Sequence, residues 1–302
     1  MSYSNSYIQQ YKSCPLSCFY KYEAKLKKID DEASEHHLVY GRAMHAALRL
    51  IYLGDSVQSA KTAFLEQYVK QLDTLDNAKT RENGVIVLDA YMNTYIDDMG
   101  KWKVVSCEEK EHFEYGGEDS FTVILDLVME NRAYGGIYGF DHKIVGGKKA
   151  NLSEDFWYQF EPNSQVNKYC SFIKSKYGDC SGFYINAIGM GYRSRMYKGE
   201  PAGFHFRFRR NMFNPTVEQL ERENSDTKYW IERIEHSKAT SCFGMNTEAC
   251  RWCEYRTICK SGWKWPEDKE LIEITYSTVS TVAPSERKKE NNDVKRSGIS
   301  SE

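Results

Sequence analysis

The stretch Phe-Thr-Val-Ile-Leu-Asp-Leu-Val-Met-Glu (Phe121–Glu130), followed by Ile-Tyr-Gly-Phe-Asp-His-Lys-Ile-Val (Ile137–Val145), decides how this chain folds. Both runs are rich in β-branched and aromatic residues. The segment between them, residues 131–136, ends in two glycines, so the pattern predicts a β-hairpin. Each run carries a single carboxylate near its middle, Asp126 in the first and Asp141 in the second.

The charged residues of this hairpin indicate either an ion pair or a metal site. Side chains alternate along a strand, so Asp141 and Lys143 share one face and His142 points to the other. Charge in an apolar strand is costly unless it is paired or bound to a metal. The residues alone leave two interpretations open. One is a cation site that includes Asp126, Asp141 and Lys143. The other is an Asp–Lys ion pair, or a position of Asp126 at a strand end near water.

The composition describes a globular chain without a general electrostatic preference. Of 302 residues, 41% are hydrophobic and 28% charged, and the net charge of −2 excludes a strongly basic surface. Any nucleic-acid contact must therefore come from a local patch. No apolar run is long enough to span a membrane and the first residues lack a signal-peptide profile, which predicts a cytoplasmic protein without membrane association.

The hydrophobic periodicity predicts an α/β fold. The first hundred residues are mainly helical in pattern, and the period changes to two from Trp102. The predicted later elements are strands at Val104–Tyr115, Phe121–Glu130, Ile137–Val145, Phe183–Tyr192 and Gly203–Arg210, and helices at Ser153–Tyr177, interrupted at Pro162, and at Thr216–Ser237. Residues 1–275 are predicted to form one domain, and the polar segment 276–302 a disordered tail.

One strand of this set carries a basic face. In Phe-His-Phe-Arg-Phe-Arg-Arg, the three phenylalanines face one way, while His205, Arg207 and Arg209 face the other. Arg207 and Arg209 are therefore weak candidates for binding a nucleic-acid backbone, and a solvated sheet face is the alternative.

A cysteine cluster lies near the C-terminus. Cys250, Cys253 and Cys259 fall within ten residues, a spacing typical of a Zn²⁺ or iron–sulfur site and unlike that of ordinary reduced thiols. A fourth ligand could be Cys242 or the remote Cys14. Cys14 precedes a proline at a predicted helix start, where a thiolate is favoured.

Six features in a fixed order make the chain similar to a known family. They are the segment Ser-Tyr-Ile-Gln-Gln-Tyr-Lys-Ser-Cys14-Pro, the helix Gly41-Arg-Ala-Met-His45-Ala-Ala-Leu48, Asp126, Asp141-His-Lys143, Gln165-Val-Asn-Lys-Tyr169 and the C-terminal cysteines. From Ser4 to Cys259 the chain resembles the RecB-like iron–sulfur exonuclease branch of the PD-(D/E)xK nuclease superfamily. That branch includes CRISPR-associated exonucleases, their phage relatives and the AddB nuclease domain. One departure is Asp141, since the second acidic position is often Glu in these exonucleases.

The resemblance implies a restriction-endonuclease-like fold with a mixed central sheet flanked by helices. The nuclease core would span about residues 102–212, after a helical part, residues 1–101, and before a C-terminal helix and cysteine cluster, residues 214–262.

The resemblance also implies roles for individual residues. The implied metal ligands are His45, Asp126, Asp141 and the backbone carbonyl of Ile144, and the implied catalytic residues are Asp126, Asp141, Lys143, Gln165 and Tyr169. Oxygen ligands with one imidazole suit Mg²⁺ or Mn²⁺. Cys14, Cys250, Cys253 and Cys259 would hold a [4Fe–4S] cluster, with Zn²⁺ as the alternative.

The implied activity is metal-dependent DNA exonuclease hydrolysis, on single-stranded DNA or DNA ends. The setting would be recombination, repair, phage DNA processing or CRISPR adaptation, with proteins of those pathways as partners and the host cytoplasm as location for a phage protein. End polarity stays open, with 5′ to 3′ as one candidate. The alternative is an inactive nucleic-acid-binding module with a structural Fe–S or Zn site, which would have no need of the His, Asp, Asp and Lys set.

Overall fold

The computed structural model describes residues 2–29, 32–74, 76–114, 120–196, 199 and 201–278. The helices are α1 (Asn5–Ser13), α2 (Pro15–Cys18), α3 (Glu32–Tyr52), α4 (Val57–Gln67), α5 (Arg81–Thr94), α6 (Asp98–Lys101), α7 (Glu154–Trp157), α8 (Ser164–Tyr177), α9 (Val217–Ala239), α10 (Arg256–Ser261) and α11 (Lys269–Glu273). The strands are β1 (Ser2–Tyr3), β2 (Leu26–Lys28), β3 (Trp102–Ser106), β4 (Lys110–Glu114), β5 (Ser120–Ile124), β6 (Leu127–Asn131), β7 (Ile137–Val145), β8 (Gly182–Arg193), β9 (Gly203–Phe213) and β10 (Tyr276–Thr278).

The described residues fall into two compact units, one within residues 1–8 and 31–235 and the other within 9–30 and 236–302. Whether the chain is the single domain predicted for residues 1–275 stays a prediction. In the part of the chain that the structure describes, none of the helices combines the length and the apolar character needed to cross a membrane.

A five-stranded sheet organises the first unit, in the order β3-β6-β7-β8-β9. The strands β7 and β8 are parallel and the other neighbours are antiparallel. Helices α3, α4 and α5 supply the main core against one face, with large buried side chains such as Tyr40, Phe64 and Tyr91. Helix α8 connects the parallel pair and packs on β7 and β8. This mixed sheet flanked by helices confirms the predicted α/β fold class.

Two of the predicted strands are each broken into two pieces, which corrects the sequence analysis. The run Phe121–Glu130 divides at Leu125 and Asp126 into β5 and β6. The run Val104–Tyr115 divides at residues 107–109 into β3 and β4, and its last residue lies outside the described residues. The breaks let β3 and β6 join the five-stranded sheet, while β4 and β5 form a separate sheet with β1. Periodicity cannot show this because both halves of each run keep the alternating pattern.

The predicted interruption at Pro162 is confirmed. Helix α7 is followed by a 3₁₀ turn, Tyr158–Phe160, and α8 begins after Asn163, whose side chain accepts hydrogen bonds from the amides of Gln165 and Val166. The helix ends at Gly178, which has the positive φ of 80° that glycine adopts without strain.

The second unit has its own small core. The strands β2 and β10 pair antiparallel, and the buried side chains include Tyr20, Leu26, Tyr255, Ile258 and Tyr276. The predicted tail therefore begins too early, because Tyr276–Thr278 form a strand held by backbone hydrogen bonds to Leu26–Lys28. The rest of the predicted tail, residues 279–302, lies outside the described residues.

Candidate metal centre

Asp126 lies at the break between β5 and β6, not in the middle of a strand. Its Oδ2 accepts a hydrogen bond of 2.6 Å from the backbone amide of His142. Its Oδ1 lies 3.3 Å from Nδ1 of His45. Burial favours a neutral carboxyl, but the hydrogen bond and charge of His45 outweigh it and lower the pKa of Asp126. The carboxylate is thus held ionised and oriented by two partners.

His45 is brought to this carboxylate by α3. The helix buries Met44, Ala47 and Leu48 in the core, and His45 lies beside that apolar stripe, partly exposed to an open cleft. Burial disfavours the charged ring, but the hydrogen-bonded Asp126 and the nearby acidic groups outweigh it and raise the pKa of His45. A histidine on an apolar helix face is here next to carboxylates, so its position suits a metal ligand.

Asp141 and Lys143 lie on one face of β7, as predicted. Asp141 is 6% exposed, and Lys143 Nζ lies 2.7 Å from its Oδ2. The ion pair that the sequence analysis left open is therefore present. Burial nevertheless raises the pKa of Asp141 to about 6, since the attraction of Lys143 only partly offsets it and Asp126 adds repulsion. Despite the close ammonium, Asp141 Oδ2 makes no hydrogen bond of acceptable geometry to any described residue.

Glu108 is a third acidic group at this place, and it was not predicted from the sequence. It lies at the break between β3 and β4, where its amide donates to the carbonyls of Leu125 and Asp126 at 3.0 and 3.2 Å. Its Oε1 is 4.0 Å from Nδ1 of His45. Burial, opposed by His45, raises the pKa of Glu108. Only the pairing of the two broken strands brings it here, and no motif marks it.

These side chains fit a divalent cation. His45, Glu108 and Asp126 each offer a ligand atom within 4.8 Å of the others. Asp141, paired with Lys143, is close enough to them for the charge of Asp126 to raise its pKa. Carboxylate oxygens with one imidazole nitrogen are donors that suit Mg²⁺ and Mn²⁺.

Gln165 and Tyr169 share a face of α8, as predicted from their spacing. Gln165 Nε2 donates to the Tyr169 hydroxyl at 3.1 Å. Burial raises the pKa of Tyr169 to about 12, and the charges of Asp141 and Asp126 act in the same direction. The pair is therefore close enough to the acidic residues to interact with them.

Arg209 is engaged within the protein. Its guanidinium pairs with Glu154 at 2.9 Å and lies over the ring of Trp157. The alternation of the strand is as predicted, because Phe204, Phe206 and Phe208 pack against the main core. A role of Arg207 or Arg209 in binding DNA stays a prediction.

The second unit brings Cys14 together with the C-terminal cysteines. Burial raises the pKa values of the Cys253 and Cys259 thiols, and the nearby Cys14 and Cys250 contribute to both shifts. The backbone of Asn246 links two of them, since its amide donates to Cys14 Sγ at 3.4 Å and its carbonyl accepts from Cys250 Sγ at 3.8 Å. Cys14 precedes the first residue of α2, as predicted.

Cys242 is exposed and is not among the main causes of those pKa shifts. That Cys14, Cys250, Cys253 and Cys259 together hold a metal group stays a prediction, and the contacts of Asn246 with Cys14 and Cys250 support it.

Comparison with known proteins identifies the family. The model of the PD-(D/E)XK nuclease superfamily matches residues 2–260. The chain therefore belongs to the PD-(D/E)XK nuclease superfamily, and nucleic acid is its class of substrate. Members of the superfamily use divalent metals, in agreement with the donor set around Asp126. No curated protein sequence matches the chain at a significant level.

Solved structures support the fold. The crystal structure of a protein named "Putative exonuclease", from Eubacterium rectale, is 13% identical, with a TM-score of 0.51 over 83% of this chain and 86% of that one. The similarity to the crystal structure of SSO0001 is weak, at 10% identity and a TM-score of 0.31 over 74% of this chain and 86% of that one. At such identities the first likeness shows the fold alone.

Proposed function

We propose that the chain is a metal-dependent DNA exonuclease of the RecB-like iron–sulfur branch, acting on single-stranded DNA or DNA ends. The observation that carries this proposal is that His45, Asp126 and Lys143 line one open cleft of about 640 Å³. Asp141 reaches the same place through its contact with Lys143. An inactive binding module would gain nothing from burying these charges together.

The metal ligands of the proposal are His45, Asp126, Asp141 and the carbonyl of Ile144, and the geometry adds Glu108. A bound Mg²⁺ or Mn²⁺ supplies a more acidic water and stabilises negative charge on the scissile phosphate. The chain's own contribution is to hold the ligands. His45 and the His142 amide orient the two oxygens of Asp126, and the Glu108 backbone is tied to the break that carries Asp126.

Lys143 is the proposed partner of the reacting water and phosphate. Its ammonium is partly exposed to the cleft and lies 2.7 Å from Asp141, so it can donate a hydrogen bond to the attacking water or to the developing charge. Gln165 and Tyr169, joined by a hydrogen bond on α8, would position the strand. Arg42 also lines the cleft and adds positive charge for a phosphate backbone.

The cysteines of the second unit are proposed to hold a [4Fe–4S] cluster through Cys14, Cys250, Cys253 and Cys259, with Zn²⁺ as the alternative. The backbone contacts of Asn246 to two of these thiols support Cys14 over Cys242 as the fourth ligand. A cytoplasmic location, end polarity and a partner in recombination, repair, phage DNA processing or CRISPR adaptation belong to the same proposal and stay predictions.

The proposal is tested by following labelled single- and double-stranded DNA with and without Mn²⁺. The wild type should degrade DNA from its ends only with the metal. Asp126→Ala and Lys143→Ala should abolish degradation while the circular dichroism spectrum is unchanged. Lys103→Ala is a matched control, because Lys103 pairs with Glu130 on the surface. Retained activity in a clean preparation of either active-site variant would contradict the proposal.

A further inference from the structure

A buried polar network lies behind β7, on the face opposite Asp141 and Lys143. His142 and Asn186 are paired in register on β7 and β8, and both are almost fully buried. Asn186 Nδ2 lies 2.7 Å from His142 Nδ1 and 2.7 Å from the Tyr91 hydroxyl. Arg210 Nε donates to Asn186 Oδ1 at 3.0 Å. A guanidinium can only donate, so this contact fixes which end of the amide is the oxygen.

The orientation of Asn186 then decides the state of His142. The amide nitrogen can only donate, so His142 Nδ1 must accept, and the proton of the neutral ring lies on Nε2. Three elements are thereby locked together, because His142 lies on β7, Asn186 on β8 and Arg210 on β9.

Arg210 is itself held by the helices. Its Nη1 pairs with Asp98 at 2.7 Å, and its Nη2 donates to the hydroxyls of Tyr52 and Tyr91 at 2.6 and 3.0 Å. Because Tyr91 accepts from both Arg210 and Asn186, its own proton goes to Tyr52, 2.7 Å away. Tyr52 donates in turn to Asp98 at 3.0 Å. Every hydroxyl of the network has an acceptor, so the arrangement is unique.

The network reaches the candidate metal centre through His142. The backbone amide of His142 donates to Asp126, and its ring stacks on Tyr52 with centroids 5.7 Å apart. The same ring meets the ring of His45 edge to face at 6.0 Å. His142 thus contacts two of the proposed metal ligands directly, and its side chain is fixed by groups that never face the cleft.

We propose that the Arg210 network, formed by Tyr52, Tyr91, Asp98, His142, Asn186 and Arg210, positions His45 and Asp126 and thereby sets the affinity for the divalent cation. Its members are positioning residues, since they act through His142. Partners of metal ligands commonly change affinity by about 10- to 100-fold when they are removed. The inference rests on the proposed metal centre.

Tyr91 of α5 and Tyr95, the residue that directly follows this helix, provide a matched test. Both side chains contact Arg210, Tyr95 with its ring and Tyr91 with its hydroxyl. Only the Tyr91 hydroxyl hydrogen-bonds to Asn186 and Arg210, whereas that of Tyr95 has no hydrogen bond to a described residue. Tyr91→Phe should weaken Mn²⁺ binding by roughly threefold and Asn186→Ala by about tenfold, and Tyr95→Phe should leave it unchanged. Affinity is measured by calorimetry without DNA, beside the melting temperature of each metal-free variant.

The outcomes separate a positioning role from a structural one. If Tyr91→Phe and Asn186→Ala lower the melting temperature but keep the wild-type Mn²⁺ affinity, the inference is overturned. If Asn186→Ala does not fold, Tyr91→Phe decides alone. Nitrogen NMR of His142 is a second readout, and a ring protonated on Nδ1 at neutral pH would also overturn it. A wild type that binds no Mn²⁺ would overturn the proposed metal centre itself, and with it this inference.

Discussion

Glu108 is joined to Asp126 through its backbone, since its amide donates to the Asp126 carbonyl at 3.2 Å. Its φ of 52° lies in the left-handed region that is unusual for a side chain of this kind, at a cost of about 1–3 kcal/mol. The two hydrogen bonds from its amide to the carbonyls of Leu125 and Asp126 offset part of that cost. The strained conformation turns the carboxylate toward His45, which is the arrangement a metal ligand needs.

Replacing this carboxylate tests its role as a ligand. Glu108→Gln keeps the length of the side chain but removes the charge, and it should weaken Mn²⁺ binding by roughly tenfold because the site loses a charged ligand. Glu109→Gln is the matched control, since the next residue is exposed and its carboxylate accepts from Ser106 at 3.0 Å. Calorimetry with Mn²⁺ measures both. Equal affinities for the two variants would exclude Glu108 from the metal centre.

Helix α8 shows how a single element links stability and the site. Its first turn is capped by Asn163, which accepts from the amides of Gln165 and Val166 at 2.9 and 3.1 Å. Lys168 lies four residues after Ser164, the first residue of the helix. Its buried ammonium pairs with Glu223 at 2.8 Å and donates to the Ser164 hydroxyl at 2.6 Å. The helix is thus fixed at its start, where Gln165 and Tyr169 lie.

Removing the cap should lower stability without changing the metal centre. Asn163→Ala should reduce the free energy of unfolding by about 1 kcal/mol, because two amides at the helix start lose their acceptor. Asn163→Ser should retain most of the stability, since a serine hydroxyl can also cap. Urea unfolding measures both variants. Mn²⁺ affinity should stay at the wild-type value, because His45 and Asp126 are not on α8, and a loss of affinity would contradict this separation.

The two candidate inorganic sites lie in different units of the molecule. His45, Glu108, Asp126 and Asp141 belong to the first unit, and the clustered cysteines belong to the second. Joining Cys14 to Cys250–Cys259 closes a long loop of chain, which restricts the unfolded state and stabilises the folded one. On this ground we propose a structural role for the cluster.

Cysteine variants test which thiols hold the cluster. Cys14→Ala and Cys253→Ala should lose the brown colour and the iron, and melt at lower temperature, when the protein is purified without oxygen. Cys242→Ala should keep all three properties, because the Cys242 thiol is exposed and is not among the main causes of the raised pKa of Cys259. Mn²⁺ affinity in the first unit should persist. A colourless wild type that contains zinc would argue against iron, and iron loss in Cys242→Ala alone would exclude Cys14.

Much of the fold could be predicted because it rests on local patterns. Three local examples are the alternation of Phe204, Phe206 and Phe208, the shared face of Asp141 and Lys143, and the interruption at Pro162 before α8. The breaks at residues 107–109 and 125–126 could not be predicted, because each half of a broken run alternates as a continuous strand does. Their positions depend on which sheet each half joins.

The sequence by itself determined the α/β class and the order of the motifs that resemble the superfamily. Both depend only on residue types and short spacings along the chain. Only the tertiary structure decided that Glu108 stands beside Asp126, that Arg210 and Asn186 orient His142, and that Asn246 contacts both Cys14 and Cys250. Those contacts join residues that are far apart in the chain, and their geometry is set by strand pairing and core packing. No local pattern encodes that geometry.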